Sequence, residues 1–260
     1  MFKLYLFVLC FSVVNSYWKP GPSDTFHIQF AGTLNIHHSA HVYDVDLFET
    51  PTSTIKYLHD HGKKVVCYFS AGTFEHDGHG KNIRPDYPAF PHDAIGHTLG
   101  DWPTEQYIDI RNSVVRTIMT NRIILAHSKG CDGIDADNVD AYEANNGFHL
   151  TASDQLNYNK WIAHEANNHG LSIGLKNAVD LIRDLEPFFD FAINEQCMTS
   201  PDSCNKYLPF INHQKAVFHL EYVDHMSQGQ SKQTSVCSQR PHQFVTLIKL
   251  EDLSDWSLSC

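Results

Sequence analysis

The 260 residues predict a single α/β domain, a (β/α)8 TIM barrel. Three observations carry that prediction. Short apolar strands alternate with helical stretches along the whole chain, which calls for parallel sheet, and about eight such units in about 250 residues match a barrel. Lys64–Ser70, KVVCYFS, is a near-continuous apolar run of the kind expected of a parallel strand buried on both faces. Finally, nearly every proposed strand is apolar in its middle and polar at its C-terminal end. An open doubly wound sheet is the alternative, but no glycine-rich nucleotide turn follows an early strand.

Taken in order, Met1-Phe2-Lys3 and the apolar run Leu4 to Val14 read as a secretory signal peptide, with the mature chain starting near Tyr17. The run is too short to span a bilayer comfortably. Residues 17–260 then form the barrel domain. Phe26–Phe30 is a first strand, and His41–Phe48 a second carrying Asp44 and Asp46 on one face. Pro51 to His61 reads as a helix ended by Gly62. The run Lys64–Ser70 follows, then a long loop through Arg84-Pro85-Asp86 and Trp102-Pro103, a length usually kept for function. Gln106–Arg111 is read as the next strand, with Asp109 and Arg111 on one face, before an amphipathic helix over about 112–128.

Gly130–Asp140, GCDGIDADNVD, is the stretch that organises the rest. It reads as a strand running into a loop. Alternation puts Asp135 and Asp137 on one face and Ile134 and Ala136 on the other. Neighbouring like charges raise one another's proton affinity, which is how acid and base roles are separated. Thr151 with Asp154 marks a capping box for a helix running to about His169. Leu171–Asn177 ends in Lys176 and Asn177, Phe189–Cys197 in Glu195, and Gln214–Tyr222 in Glu221 and Tyr222. A shorter helical stretch over Val179–Phe188 and another over Asn205–Asn212 lie between them. Gln243–Lys249 makes a ninth strand, so one of the nine must lie outside the main sheet.

Seven cysteines include Cys10 in the leader and six others, an even set expected to form disulfides in a secreted chain. Cys197 and Cys204 are close enough to staple one loop. Net charge is −11 with histidine neutral, and removing the leader with Lys3 makes it −12. That excludes nucleic acid and anionic membrane as favoured partners and suits a neutral or cationic one. A monomer is expected.

In a barrel the C-terminal strand ends converge on one face, where active sites form. The residues gathered there would be Asp44, Asp46, Tyr68, Ser70, Asp109, Arg111, Asp135, Asp137, Asn138, Lys176, Asn177, Glu195, Glu221 and Tyr222. No GxSxG, HExxH or strand-borne HxH is present, and a calcium loop from Asp135 fails at Val139, Asp140 and Asn146. No metal or cofactor is called for. Carboxylates, one Lys, one Arg, amides and the aromatics Tyr43, Tyr68, Trp102 and Tyr222 form the inventory of a glycosidase. Two carboxyls act across the glycosidic oxygen, and aromatic faces stack on sugar rings. A sugar-binding protein without turnover, and a metal-dependent hydrolase built on Asp44, Asp46, Asp135 and Asp137, are the rival readings.

The segments WKPGPSDTFHIQFAG, VYDVDLFET, VCYFSAGTFE, RPDYPAFP, DWPTEQYIDIR, KGCDGIDADNVD, GFHLTASDQLNYNKWIAHEA, GLSIGLKN, DFAINEQC and VFHLEY together resemble glycoside hydrolase family 114, the endo-α-1,4-polygalactosaminidases. The likeness spans nearly the whole mature chain in order. It implies a (β/α)8 barrel, Asp137 and Glu195 as the catalytic pair, and a galactosamine-containing polysaccharide, with or without partial N-acetylation, as substrate. Where the family's pattern has Glu, this chain has Asp135, one methylene shorter. Asp137 is expected as nucleophile or base and Glu195 as acid. Asp44, Asp46, Asp109 and Glu221 are expected to form subsites, Lys176 to hold a carboxylate ionised, and Arg111 either to order Asp109 or simply to pair with it. A hydrolase of other α-galactosaminide glycans is the remaining alternative.

Overall fold

The computed structural model describes residues 17–76, 84–86, 89–100, 102–200 and 202–260. The expected signal peptide, residues 1–16, lies outside them. In chain order the elements are β1 (Phe26–Gln29), β2 (Val42–Asp46), α1 (Thr52–Asp60), β3 (Lys64–Ser70), β4 (Thr73–Glu75), β5 (Ile95–Leu99), β6 (Trp102–Ile108), α2 (Ser113–Lys129), β7 (Gly133–Asp137), α3 (Ala152–Asn168), β8 (Ser172–Lys176), α4 (Ile182–Leu185), β9 (Phe191–Glu195), α5 (Leu208–Asn212), β10 (Val217–Tyr222), α6 (Gly229–Gln239), β11 (Val245–Lys249) and β12 (Ser257–Ser259).

The main sheet runs β1-β2-β3-β7-β8-β9-β10-β11-β12. Its first eight strands pair in parallel, and β12 adds to β11 in antiparallel sense. This is the (β/α)8 barrel. Of the nine expected strands, Gln106–Arg111 is the one outside the main sheet. β6 ends at Ile108 and pairs antiparallel with β4 and β5 in a three-stranded sheet inserted after β3. Tyr107 and Ile108 at its end, with Ile110 just beyond, are buried and imitate a core strand in sequence. A helix the sequence reading left out, α6, packs on β11 and β12. Its sequence, GQSKQTSVCSQ, buries only Gly229 and Val236 and so carries almost no apolar stripe.

Helix ends follow local chemistry. The Asn112 side chain accepts from the amides of Val114 and Val115 to start α2, and Gly130, at φ 90°, ends it. Thr151 and Asp154 form the expected box on α3, Asp154 standing where Glu or Gln is usual.

Alternation splits each barrel strand between two environments. Val42, Val66, Phe191, Ile193, Phe218 and Leu220 form one apolar cluster, and they share strand faces with Asp44, Glu195 and Tyr222. The inward face is thus apolar low in the barrel and polar at the C-terminal ends. The opposite faces pack the helices in a second, larger cluster that includes Ile134, Leu175, Ile162 and Ile123.

The ladder's open edges are β1 and β12, and contacts other than strand pairing join β1 to β11 and the segment that follows it. The buried Lys249 ammonium donates to the Ile28 carbonyl at 3.0 Å and to that of Ser254. The Phe30 amide donates to the Leu253 carbonyl at 2.9 Å. Disulfides join Cys67 to Cys131, Cys197 to Cys204 as expected, and Cys237 to Cys260. In the chain-entropy picture the 64-residue loop closed by the first stabilises by about 4 kcal/mol.

Candidate active site

A cleft of about 460 Å³ opens at the C-terminal strand ends. At its floor stands Lys176, the last residue of β8 and 2% exposed. Its ammonium lies 3.4 Å from Asp137 Oδ2, 3.5 Å from Glu195 Oε2 and 3.7 Å from Asp135 Oδ2. Burial works against the lysine charge, but the three carboxylates outweigh it and hold the ammonium well above the usual lysine range.

Asp137 and Glu195 are each gripped by donors. Asp137 Oδ2 accepts from the Tyr68 hydroxyl at 3.2 Å, and its Oδ1 from the Asn138 amide at 2.7 Å. Glu195 Oε1 accepts from the Tyr222 hydroxyl at 2.5 Å, and its Oε2 from Asn177 Nδ2 at 3.0 Å. Burial pushes the Glu195 carboxyl up. The Lys176 charge and the hydrogen bonds from Tyr222 and Asn177 pull harder and hold it below the usual range. Burial also raises both phenols, Tyr68 and Tyr222, which keeps them neutral donors.

The residues that follow the three strand ends share a strained backbone. Asn138, Asn177 and Gln196 have φ of 60°, 46° and 57°, in the left-handed region that non-glycine residues seldom adopt. All three line the cleft, where such strain tends to gather. Gly72 makes room for the first of them. A Cβ there would sit 1.7 Å from the Asn138 carbonyl oxygen, so no side chain fits without moving Asn138.

Of the residues expected at the site, Asp137, Glu195, Tyr68, Asn138, Lys176, Asn177 and Tyr222 line one cleft, with Trp102 at its rim. Asp135 lies beneath, fully buried, and Asp44 is buried with it, so neither lines the cleft as the substrate-binding residue expected of it. Four further expectations are corrected. Asp46 turns aside to pair with Arg84 at 2.9 Å and to accept the amides of Phe48 and Glu49. Glu221 alternates with Tyr222 and so faces the helices, meeting His219 at 3.1 Å and Lys232 of α6 at 2.8 Å. Asp109 and Arg111 pair with each other at 2.9 Å beyond the end of β6, outside the cleft lining. Tyr43 is buried and donates to the His38 carbonyl.

The sequence reading missed several cleft residues. Phe30, Glu251, Asp252 and Leu253 follow β1 and β11. The rule of polar strand ends, carried on past Lys249, would have found Glu251 and Asp252. Leu99 and Glu105 come from the inserted sheet, and Asp140 and Gln196 from loops. Glu105 accepts from the Thr73 hydroxyl at 2.6 Å. Burial pushes its carboxyl up to about 7, and burial likewise pushes Asp140 up to about 6.

The metal-dependent reading does not fit this geometry. Between Asp135 and Asp137 the Lys176 ammonium already takes the place a cation would need, and Asp46 is bound to Arg84. Among the described residues, the one metal-compatible trio is Cys197, Cys204 and His219, and its two sulfurs are joined to each other.

The family model of glycoside-hydrolase family GH114 matches residues 11–260. The chain is similar to Aspergillus fumigatus Ega3, whose crystal structure is a complex with galactosamine. Identity is 37%, over 94% of this chain and 97% of that one, with a TM-score of 0.85. The glycoside hydrolase domain of PelA from Pseudomonas aeruginosa shares the fold at 12% identity, over 90% of this chain and 98% of that one, with a TM-score of 0.70. A search of curated proteins finds no match.

Proposed function

The chain belongs to glycoside hydrolase family 114, and from that premise we propose that this hydrolase cuts α-1,4-linked galactosamine polymers internally, with Asp137 and Glu195 as its catalytic carboxyls. The observation that carries the pair is the shared ammonium. Two carboxylates stand on either side of Lys176 in an open cleft, each further held by a tyrosine hydroxyl. The substrate class rests on charge and on the galactosamine-bound relative. Six carboxyls line the cleft, Glu105, Asp137, Asp140, Glu195, Glu251 and Asp252, against one buried lysine. A chain of free amino sugars is cationic and is drawn to such a surface.

In this reading Asp137 attacks the anomeric carbon and Glu195, whose carboxyl the free cleft holds below the usual range, takes up a proton before passing it to the leaving oxygen. Because both oxygens contact one nitrogen, at 3.4 and 3.5 Å, they are separated by at most the sum of those distances, about 6.9 Å. That bound holds for these two oxygens and not for the whole carboxyl groups, so it admits both the roughly 5–5.5 Å of retaining enzymes and part of the 6.5–9.5 Å of inverting ones. With Asp137 as the attacking group, retention is the outcome this reading requires. The three disulfides fit an oxidising, extracellular setting, in line with a leader at residues 1–16.

The test is product release from de-N-acetylated galactosamine polymer by the purified protein, beside Glu195→Gln and Asp137→Asn, with the anomer of the first-formed product read by NMR. Wild type should cut with retention, and each variant should lose on the order of 10²-fold or more. Binding without turnover would replace the enzyme reading with that of a sugar-binding protein.

A further inference from the structure

Asp44 on β2 and Asp135 on β7 are both fully buried, and none of their four carboxylate oxygens has a hydrogen-bond donor among the described residues. Buried carboxylates without donors are costly and rare. The partner each does have is the other. Two carboxyl groups hydrogen-bond only when one of them carries a proton. The groups that face this pair are Asp137 from β7, Lys176 from β8 and Glu195 from β9, with Tyr68 of β3 and Tyr222 of β10 beyond them over Lys176. Lys176 reaches Asp135 at 3.7 Å.

We propose that Asp44 and Asp135 share a single proton, and that the remaining negative charge anchors the Lys176 ammonium from below, between Asp137 and Glu195. The two aspartates are thus positioning residues for the hydrolysis proposed above, acting through Lys176 and never touching substrate. The arrangement explains how a lysine can serve two catalytic carboxylates without collapsing onto either, since a third charge holds it on the barrel axis. Burial raises the proton affinity of both members, Lys176 counters it at both, and Asp135 is the one within 3.7 Å of the ammonium. Asp44 therefore keeps the proton and Asp135 takes the charge. That charge also raises the proton affinity of nearby Glu195, which extends the pH range over which an acid at Glu195 stays protonated.

Two measurements test this, one of them independent of activity. Carboxyl 13C NMR of the intact protein should find Asp44 protonated and Asp135 ionised at pH 7.5. Joint ionisation near the ordinary value of about 4, or both neutral at pH 7.5, overturns the proposal. The second is the pH profile of kcat/KM on de-N-acetylated galactosamine polymer. Asp135→Asn should move the alkaline limb to lower pH by about half to one unit, through loss of the neighbouring charge. Asp44→Asn keeps a neutral donor to Asp135, so its alkaline limb should stay in place. Equal losses at every pH in both variants would reduce the pair to packing and sink the idea. If wild type fails to cut the polymer, the proposed function falls, while the NMR arm still decides the pair.

Discussion

The cleft has two walls of different origin. One is made by the ends of β3, β7, β8, β9 and β10, which present Tyr68, Asp137, Lys176, Glu195 and Tyr222. The other comes from the inserted β4-β5-β6 sheet, which offers Leu99, Trp102 and Glu105. The first wall is fixed by parallel ladders and tied side chain to side chain. Lys176 is 2% exposed, whereas Trp102 on the second wall is 53% exposed and has room to move. The difference teaches a division of labour. Chemistry is placed where neighbouring strands fix geometry to tenths of an ångström, and grip on a long substrate is placed where a side chain can adjust.

Lys176→Met gives the largest expected effect. It removes the ammonium that balances Asp135, Asp137 and Glu195, so kcat should fall on the order of 10²-fold. The melting temperature should fall too, since an unpaired buried charge costs about 3–5 kcal/mol. A variant with full activity would break the claim that the barrel wall carries the chemistry.

Tyr222→Phe is milder. A hydrogen bond to a charged group is worth about 1.5–3 kcal/mol, so a loss of roughly tenfold or more in kcat is expected. Its sign in pH is the sharper readout. The Tyr222 hydroxyl helps hold Glu195 below the usual range. Without it the Glu195 proton affinity rises, and an acid at Glu195 stays protonated to higher pH, so the alkaline limb of kcat should move up. A limb that stays put would shift the acid role away from Glu195, with Glu105, at about 7, next in line.

Trp102→Ala should change least. Loss of one stacking face costs about 0.5–1.5 kcal/mol, so KM on polymer should rise a few-fold with kcat intact. A drop in kcat equal to that of Tyr222→Phe would erase the contrast between the walls.

The same contrast explains what could be read from the chain. Asp137, Lys176 and Glu195 were visible because a strand declares itself by an apolar run and its last inward residue follows by alternation. Alternation also misled. Glu221 ends a strand as Glu195 does, but it faces the helices, and the choice of face depends on register against β9 and β11. Asp46 ends β2, yet Arg84, 38 residues on, captures it. Glu105 had no local signal. Its place depends on an antiparallel pairing, Glu75 with Glu105, set by tertiary contacts. The α6 helix was missed because its sequence lacks an apolar face to announce it.

The junction of β1 with β11 has a consequence for how the enzyme comes into being. The segment that bridges β1 to β11, with Leu253 at its centre, also lines the cleft through Glu251 and Asp252. The Lys249 contact to Ile28 spans 221 positions. A ribosome must therefore have made residue 253 before the barrel can close and before the cleft has all its walls. Every catalytic group exists in the nascent chain well before that, yet none has its final setting. The growing polypeptide would stay inert towards polysaccharide until nearly all of it has emerged, and its slowest folding step should be this longest-range closure.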